Sequence, residues 1–296
     1  MSLTDCIASK YLGKKVEGHE IYDPSLLVAI PRIENRGQYN IDNDNLPFIG
    51  YDVWQAYEFS CMTENGLPVT RVLKLKYPCD SEFLVESKSL KLYLNSFNMS
   101  RFGKNISECL DICKLKIQKD LQNALKTVVE CEFLDNNAQK SELYTSFKNI
   151  MDVVNEENIT VEEFKESPEL LEMDTENEEK EYFWTFDSLR SNCRVTHQPD
   201  FGDVFIYYRS KKRIKEDSLV KYLVSFRSEY HFHEECCEMI FKRLLDILDD
   251  GDKLFVSALY TRRGGIDISP VRSNCGLEMA EKLLDVKTFA RYGIKQ

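Results

Sequence analysis

The stretch Ser89-Leu90-Lys91-Leu92-Tyr93-Leu94-Asn95-Ser96-Phe97 returns 129 residues later as Ser218-Leu219-Val220-Lys221-Tyr222-Leu223-Val224-Ser225-Phe226, with Ser, Leu, Tyr, Leu, Ser and Phe identical in place. In the first copy Leu90, Tyr93, Leu94 and Phe97 fall at i, i+3, i+4 and i+7, the spacing of one helical face, although Leu90, Leu92 and Leu94 also alternate as in a strand. Helix is the expectation, with Ser87 or Ser89 as its N-cap. Working outward, Glu108-Cys109 aligns with Glu235-Cys236 after a two-residue gap, at the start of a second helix expected over Ile106 to Leu125 in the first copy.

Strands are expected at Asp52 to Cys61, Val69 to Tyr77 and Thr127 to Phe133 in the first half. The second half offers Tyr182 to Leu189, Asp203 to Tyr208 and Lys253 to Tyr260. Both halves therefore read as the same order of strands, helix, helix and strand, which is the mark of a duplicated module. The class is α+β, with domains at 1–150 and 182–296 and a linker at 151–181.

Thirteen acids against two lysines lie between Met151 and Glu181, which accounts for the net charge of −11 of all 296 residues. That stretch reads as a solvated linker with short helical pieces. Neither half carries the clustered basic face of a nucleic-acid binder. Met1 to Lys15 lacks the apolar run of a signal peptide, and no window approaches a membrane span. Ten cysteines without a CxxC pair read as reduced thiols of a cytosolic protein, so no disulfide is assumed.

A duplication makes differences between copies informative. Ahead of the first repeated helix stands Glu86-Ser87-Lys88, where free backbone N–H groups, the helix dipole and Lys88 favour an anion such as phosphate. The second copy has Lys215-Glu216-Asp217 there. Ahead of the second helix, His233-Glu234 has only Ile106-Ser107 opposite it. A carboxylate at that helix start can accept two parallel hydrogen bonds from a planar amidine edge such as that of guanine. Zinc fits less well, because adjacent Cys236 and Cys237 point to different faces of a helix.

The turn Ser191-Asn192-Cys193-Arg194-Val195-Thr196-His197-Gln198-Pro199-Asp200-Phe201-Gly202 has no counterpart in the first half. Its Cys193 and Asp200 could act on one small electrophile, sulfur attacking and the acid delivering a proton. A plain buried cysteine is the bland alternative. Thr261-Arg262-Arg263-Gly264-Gly265 offers forked phosphate contacts and a sharp turn, or a simple hairpin. No GxGxxG follows a strand, so a dinucleotide would bind outside a Rossmann domain. Each half keeps what the other lacks, as expected of one shared site.

With these residues in hand, the chain resembles the bimodular NADPH-dependent 7-cyano-7-deazaguanine reductases, nitrile reductases of queuosine (tRNA modification) biosynthesis. The resemblance rests on Glu86-Ser87-Lys88-Ser89-Leu90-Lys91-Leu92-Tyr93, on Ser191 to Asp200, on Phe232-His233-Glu234 and on Arg262-Arg263-Gly264-Gly265, and covers most of 20–290. Arg194 and Phe201 depart from the family, which has an aliphatic residue and tryptophan there. The resemblance implies two tandem tunnelling-fold (T-fold) modules, each an antiparallel sheet backed by two helices, in a homodimer. It implies that Cys193 attacks the nitrile carbon to give a thioimide, that two NADPH reduce it to the amine, and that Asp200 donates a proton. Val85, Glu86, Ser87, His233 and Glu234 would hold the deazapurine; Ser87, Lys88, Arg262, Arg263 and Gly264 would contact NADPH; no metal is expected. What lowers the thiol pKa is open in the sequence, with His197 and nearby basic residues as candidates. A zinc-dependent tunnelling-fold cyclohydrolase, or a non-catalytic binding module of the same fold, are the competing readings.

Overall fold

The computed structural model describes residues 21–293 and 295, so the expectation about Met1 to Lys15 lies outside the described residues. Strands Ile49–Met62 and Pro68–Pro78 form a hairpin. Helices Ser87–Asn95 and Ile106–Leu125 follow, and Glu130–Leu134 returns antiparallel to Pro68–Pro78. The second half repeats this order. Met173–Cys193 and Pro199–Ile214 form the hairpin, Glu216–Ser225 and His233–Ile247 are the helices, and Lys253–Tyr260 returns against Pro199–Ile214. Ile266–Ser273 then pairs antiparallel with Ile49–Met62, which joins both halves into one sheet. The architecture is α+β with mainly antiparallel strands.

The helix-or-strand ambiguity at Leu90 is settled by packing. Leu90, Tyr93, Leu94 and Phe97 are buried together while Leu92 only borders the core, so the period is helical. The cap is neither serine. It is Glu86, whose carboxylate accepts from the Ser89 N–H at 2.6 Å. A second core lies under the C-terminal helices around Leu219, Tyr222, Ile240 and Phe241. The opposite sheet face is closed by Tyr144, Phe147, Leu283 and Leu284 against Val53, Phe205, Phe255 and Val271.

The repeated serines have a common task. Ser89 Oγ and Ser218 Oγ donate to the carbonyls of Glu86 and Lys215, and accept from the N–H groups of Val28 and Glu172, each at 3.0 Å. Ser96 and Ser225 likewise accept from Asp23 and Ser167. Each helix thus holds down a strap that precedes its module, Asp23-Pro24-Ser25-Leu26-Leu27 in one half and Ser167-Pro168-Glu169-Leu170-Leu171 in the other.

The stretch 151–181 is mostly exposed, as expected of a solvated segment, but it is more than a linker. Short 3-10 turns are present at Ile150–Asp152, Glu156–Asn158 and Pro168–Leu170, but a long strand begins at Met173 rather than at 182. Met173 pairs with Ile214 as Ala29 pairs with Val85. The acids also have partners: Glu172 meets Lys215 at 2.8 Å, Glu166 meets Arg243 at 3.0 Å, and Glu179 meets Arg209. Part of the charge is thus met by bases from the neighbouring strand and helices, and Glu176 meets Lys180 within the run itself at 2.9 Å.

Candidate active site

Two helix starts, the second hairpin and the joining strands converge on one narrow cleft. Its walls include Val85, Ser87 and Lys88 at the Ser87–Asn95 helix start, Cys193 and Asp200 on the second hairpin, and His233 and Glu234 at the His233–Ile247 helix start. Trp54 and Ile268, from the two strands that join the halves, complete it with His231 and Phe232. A second hollow of about 550 Å³ shares Ser87, Lys88, Asp200, His233 and Ile268 with the first, and adds Lys91, Arg263 and Gly264. A larger hollow around Tyr57, Arg71 and Lys140 contains none of the expected site residues.

Cys193 ends its strand, and Asp200 lies on the next one, which begins at Pro199 rather than at Asp203. Residues 194–198 form the hairpin tip, where the His197 N–H donates to the Cys193 carbonyl and His197 takes a φ of 57°. The Cys193 N–H donates to the Gln198 carbonyl. On its other side, the two-residue strand Tyr230–His231 runs parallel to Asn192–Cys193, with His231 in register with Cys193.

The Cys193 side chain is almost fully buried, and its sulfur lies 3.2 Å from Lys88 Nζ. Burial pushes the thiol pKa up. The Lys88 ammonium, the Thr196 hydroxyl and the backbone N–H groups of Thr196 and Val195 outweigh it, so the thiol sits below its ordinary value. The candidate His197 is not the cause: it is exposed at the hairpin tip, 4.8 Å from the Tyr230 ring. Sequence placed Lys88 on the cofactor, and the fold gives it the thiol as well. Lys88→Met is therefore expected to move the acid limb of the pH–rate profile for Cys193 alkylation to higher pH. The sign follows because loss of the cation leaves burial dominant, and each unit of rise lowers the thiolate fraction below the pKa about tenfold. An unchanged alkylation profile would remove Lys88 from this role.

Asp200 pairs with Arg263 and lies 3.4 Å from His233 Nε2. Burial raises its pKa, but His233 and Arg263 outweigh that, and the carboxyl stands below its ordinary value. Arg263 also bonds Thr196 and Gln198, fixing the hairpin tip to the glycine turn. His233 stacks on Tyr260 with centroids 3.8 Å apart, and its Nδ1 is buried without a partner.

Glu234 is 2% exposed, and its Oε1 also lacks a partner. Burial and the neighbouring Asp52 raise its pKa to about 8, against the pull of its own backbone N–H, Arg32 and Arg272. Behind it lies a buried ion cluster: Arg272 meets Asp52 and Glu238, while Arg36 grips both Glu238 oxygens. A buried carboxylate with an open acceptor position is costly unless a ligand supplies donors.

Not every expected residue reaches the hollows. Arg262 is exposed, with its guanidinium 3.9 Å from the Tyr57 ring centroid, and lines neither of them. Gly264 does line the second, and its carbonyl accepts from Lys91 Nζ at 2.6 Å. Gly265 has a φ of 81°, and a Cβ there would lie 2.4 Å from the Glu58 carboxylate, so the turn requires glycine. Trp54 and Ile268 were not singled out, and His231 was given no role. Trp54 and Ile268 sit mid-strand, where chemistry and packing have the same sequence pattern. The two departures from the motif are accommodated: Arg194 pairs with Glu235 at 3.2 Å, and Phe201 is about half exposed, at 46%.

A buried thiol beside a lysine ammonium, a carboxyl pair and a cationic hollow gather in one place, the arrangement of a candidate enzyme active site. Comparison with known proteins narrows the class. Residues 19–133 match the family described as "Nitrile reductase, 7-cyano-7-deazaguanine-reductase N-term", and residues 199–278 match "QueF-like protein". The chain is 40% identical over 268 residues to the NADPH-dependent 7-cyano-7-deazaguanine reductase of Rickettsia canadensis (strain McKiel), covering 90% of this chain and 93% of that one. It is 41% identical over 267 residues to the protein of the same name from Rickettsia massiliae (strain Mtu5), with the same coverage. The chain belongs to the NADPH-dependent 7-cyano-7-deazaguanine reductase family.

Proposed function

We infer that this chain reduces the nitrile of 7-cyano-7-deazaguanine to the primary amine with NADPH, in queuosine biosynthesis, using Cys193 as nucleophile. The observation that carries this is the Cys193 sulfur at 3.2 Å from Lys88, in the cleft where Glu234 Oε1 has no partner. A nitrile is a weak electrophile, and thiolate addition turns it into an imine-like thioimide that hydride can reach. Glu234 accepts from the amidine edge of the deazaguanine, and His233, with Val85 to Ser87, fixes the plane of the ring. Asp200 and His233, in contact with each other, handle the proton that the nitrile nitrogen takes up as the C–S bond forms.

The second hollow fits the anionic co-substrate, because Lys88, Lys91 and Arg263 gather at a helix start and a glycine turn. Ser87, Lys88, Arg263 and Gly264 would hold NADPH there, which when bound supplies hydride. Arg262 would join from the rim. Protonation of Asp200 requires loosening from Arg263, whose guanidinium also faces that hollow.

The fold reading is two tandem tunnelling-fold modules, supported by the repeated strap, hairpin, helix pair and returning strand. The domain division follows it, with the second module extended back toward Ser167. A homodimer, a cytoplasmic setting and the absence of nucleic-acid partners belong to the same proposal. No helix among the described residues is long and apolar enough to cross a membrane. A zinc-dependent reading lacks support in the cleft, since the one group of three close metal-ligating side chains among the described residues is Cys61, Cys109 and Cys113, outside it.

The deciding experiment mixes the protein with 7-cyano-7-deazaguanine and follows NADPH absorbance. Two NADPH should disappear per nitrile, because reducing a nitrile to an amine takes two hydrides. Asp200→Asn should still form covalent adduct but turn over about 10²- to 10⁴-fold more slowly. Full-speed turnover in that variant would remove Asp200 from proton transfer, and binding without NADPH oxidation by the unaltered protein would overturn the enzymatic reading.

A further inference from the structure

Outside the cleft, three thiols gather in the N-terminal core. Cys109 and Cys113 lie one turn apart on the buried face of helix Ile106–Leu125, and Cys61 faces them from strand Ile49–Met62. All three residues are fully buried, their sulfurs lie within 4.8 Å of one another, and Cys61 and Cys109 are 3.3 Å apart. We propose that Cys61, Cys109 and Cys113 form a trigonal thiolate site for copper(I).

The catalytic half shows that the juxtaposition is built into the repeated packing. The long strands of the two hairpins carry register shifts at Ala56/Phe59 and Phe186/Leu189, which makes Ser191 the counterpart of Cys61. Cys236, the counterpart of Cys109, stands beside Ser191. Cys113 has Ile240 as its counterpart. The same three positions thus hold Ser, Cys and Ile in one half and three thiols in the other, so packing alone does not demand sulfur.

The donor set selects the ion. Among the described residues no His, Asp, Glu or further Cys joins the three sulfurs, whereas structural zinc takes four ligands. A soft three-sulfur site suits copper(I). The first turns of a long helix favour negative charge at Cys109. Each Cu–S bond that replaces an S–H bond releases one proton to buffer, and no electron is transferred, so uptake strengthens as pH rises. Entry requires local opening of the strand from the helix.

The test uses the full chain under anaerobic, reducing conditions. It is loaded with copper(I) acetonitrile complex in mild denaturant, returned to buffer and challenged with bicinchoninate. Wild type and Cys193→Ala should each keep one copper per chain, and X-ray absorption should show three sulfurs around it. Cys113→Ser, checked for folding by circular dichroism, should surrender its copper. Equal retention by Cys113→Ser, loss in Cys193→Ala, no retention by wild type, or fewer than three sulfurs at the metal would overturn the assignment. The coordination number in wild type decides the matter even if the serine variant does not fold.

Discussion

Cys193→Ala should abolish nitrile-dependent NADPH oxidation, with turnover reduced on the order of 10⁴- to 10⁶-fold, and remove the covalent adduct seen by intact-protein mass spectrometry. The size follows from what the sulfur is placed to do. It lies against Lys88, its thiolate is favoured by the Thr196 and Val195 N–H groups, and it lines the cleft that also holds Asp200, His233 and Glu234. No other thiol takes over. Cys236 is buried, and burial raises its pKa to about 12, so it stays protonated. Cys193→Ser should be nearly as inactive, since a hydroxyl beside Lys88 remains far from ionised. Substantial turnover in the alanine variant would mean that hydride reaches the nitrile directly and that the thiol is structural.

Glu234→Gln should weaken deazaguanine binding by about 2–4 kcal/mol, roughly 30- to 1000-fold in Kd, because an ionic pair of hydrogen bonds becomes one mismatched amide contact. A second signature separates this from simple damage to the cleft. With its pKa raised to about 8, Glu234 is largely protonated in the free protein at neutral pH. Accepting two N–H donors requires the carboxylate, so ligand binding should release close to one proton at pH 7. Affinity should therefore improve with rising pH until about 8 and level off above it. Calorimetry in buffers of different ionisation enthalpy reads the proton directly. In Glu234→Gln both the release and this pH dependence should vanish; a variant that binds weakly yet still releases the proton would place the titration elsewhere.

Much of this site was legible in the chain. The two serine-bounded nonapeptides announced a duplication, and comparing the copies isolated Lys88, Cys193, His233 and Glu234, which the fold brings around one cleft. The expected Ile106–Leu125 helix is present with those bounds, and its buried face recurs at every fourth residue, Cys109 through Leu125. The strap repeat was missed although its sequence was present. Pro24-Ser25-Leu26-Leu27 and Pro168-Glu169-Leu170-Leu171 recur at a different offset from the helices, and the second copy is hidden among acids. Charge counted along the chain rightly suggested solvent there, but it could not show that Glu166, Glu172 and Glu179 face bases from other segments.

The sequence by itself determined the repeated helices, the internal duplication and the residue types offered to the cleft, because helical period and residue type are local properties. Tertiary structure alone decided that Lys88 touches the thiol at 3.2 Å, that Arg263 holds Asp200 while Arg262 turns away to Tyr57, and that Glu234 is buried over an ion cluster with one oxygen left open. Those are facts about electrostatic environment. An environment is the sum of burial and charges from segments far apart in the chain, so it takes a value only once the chain has folded.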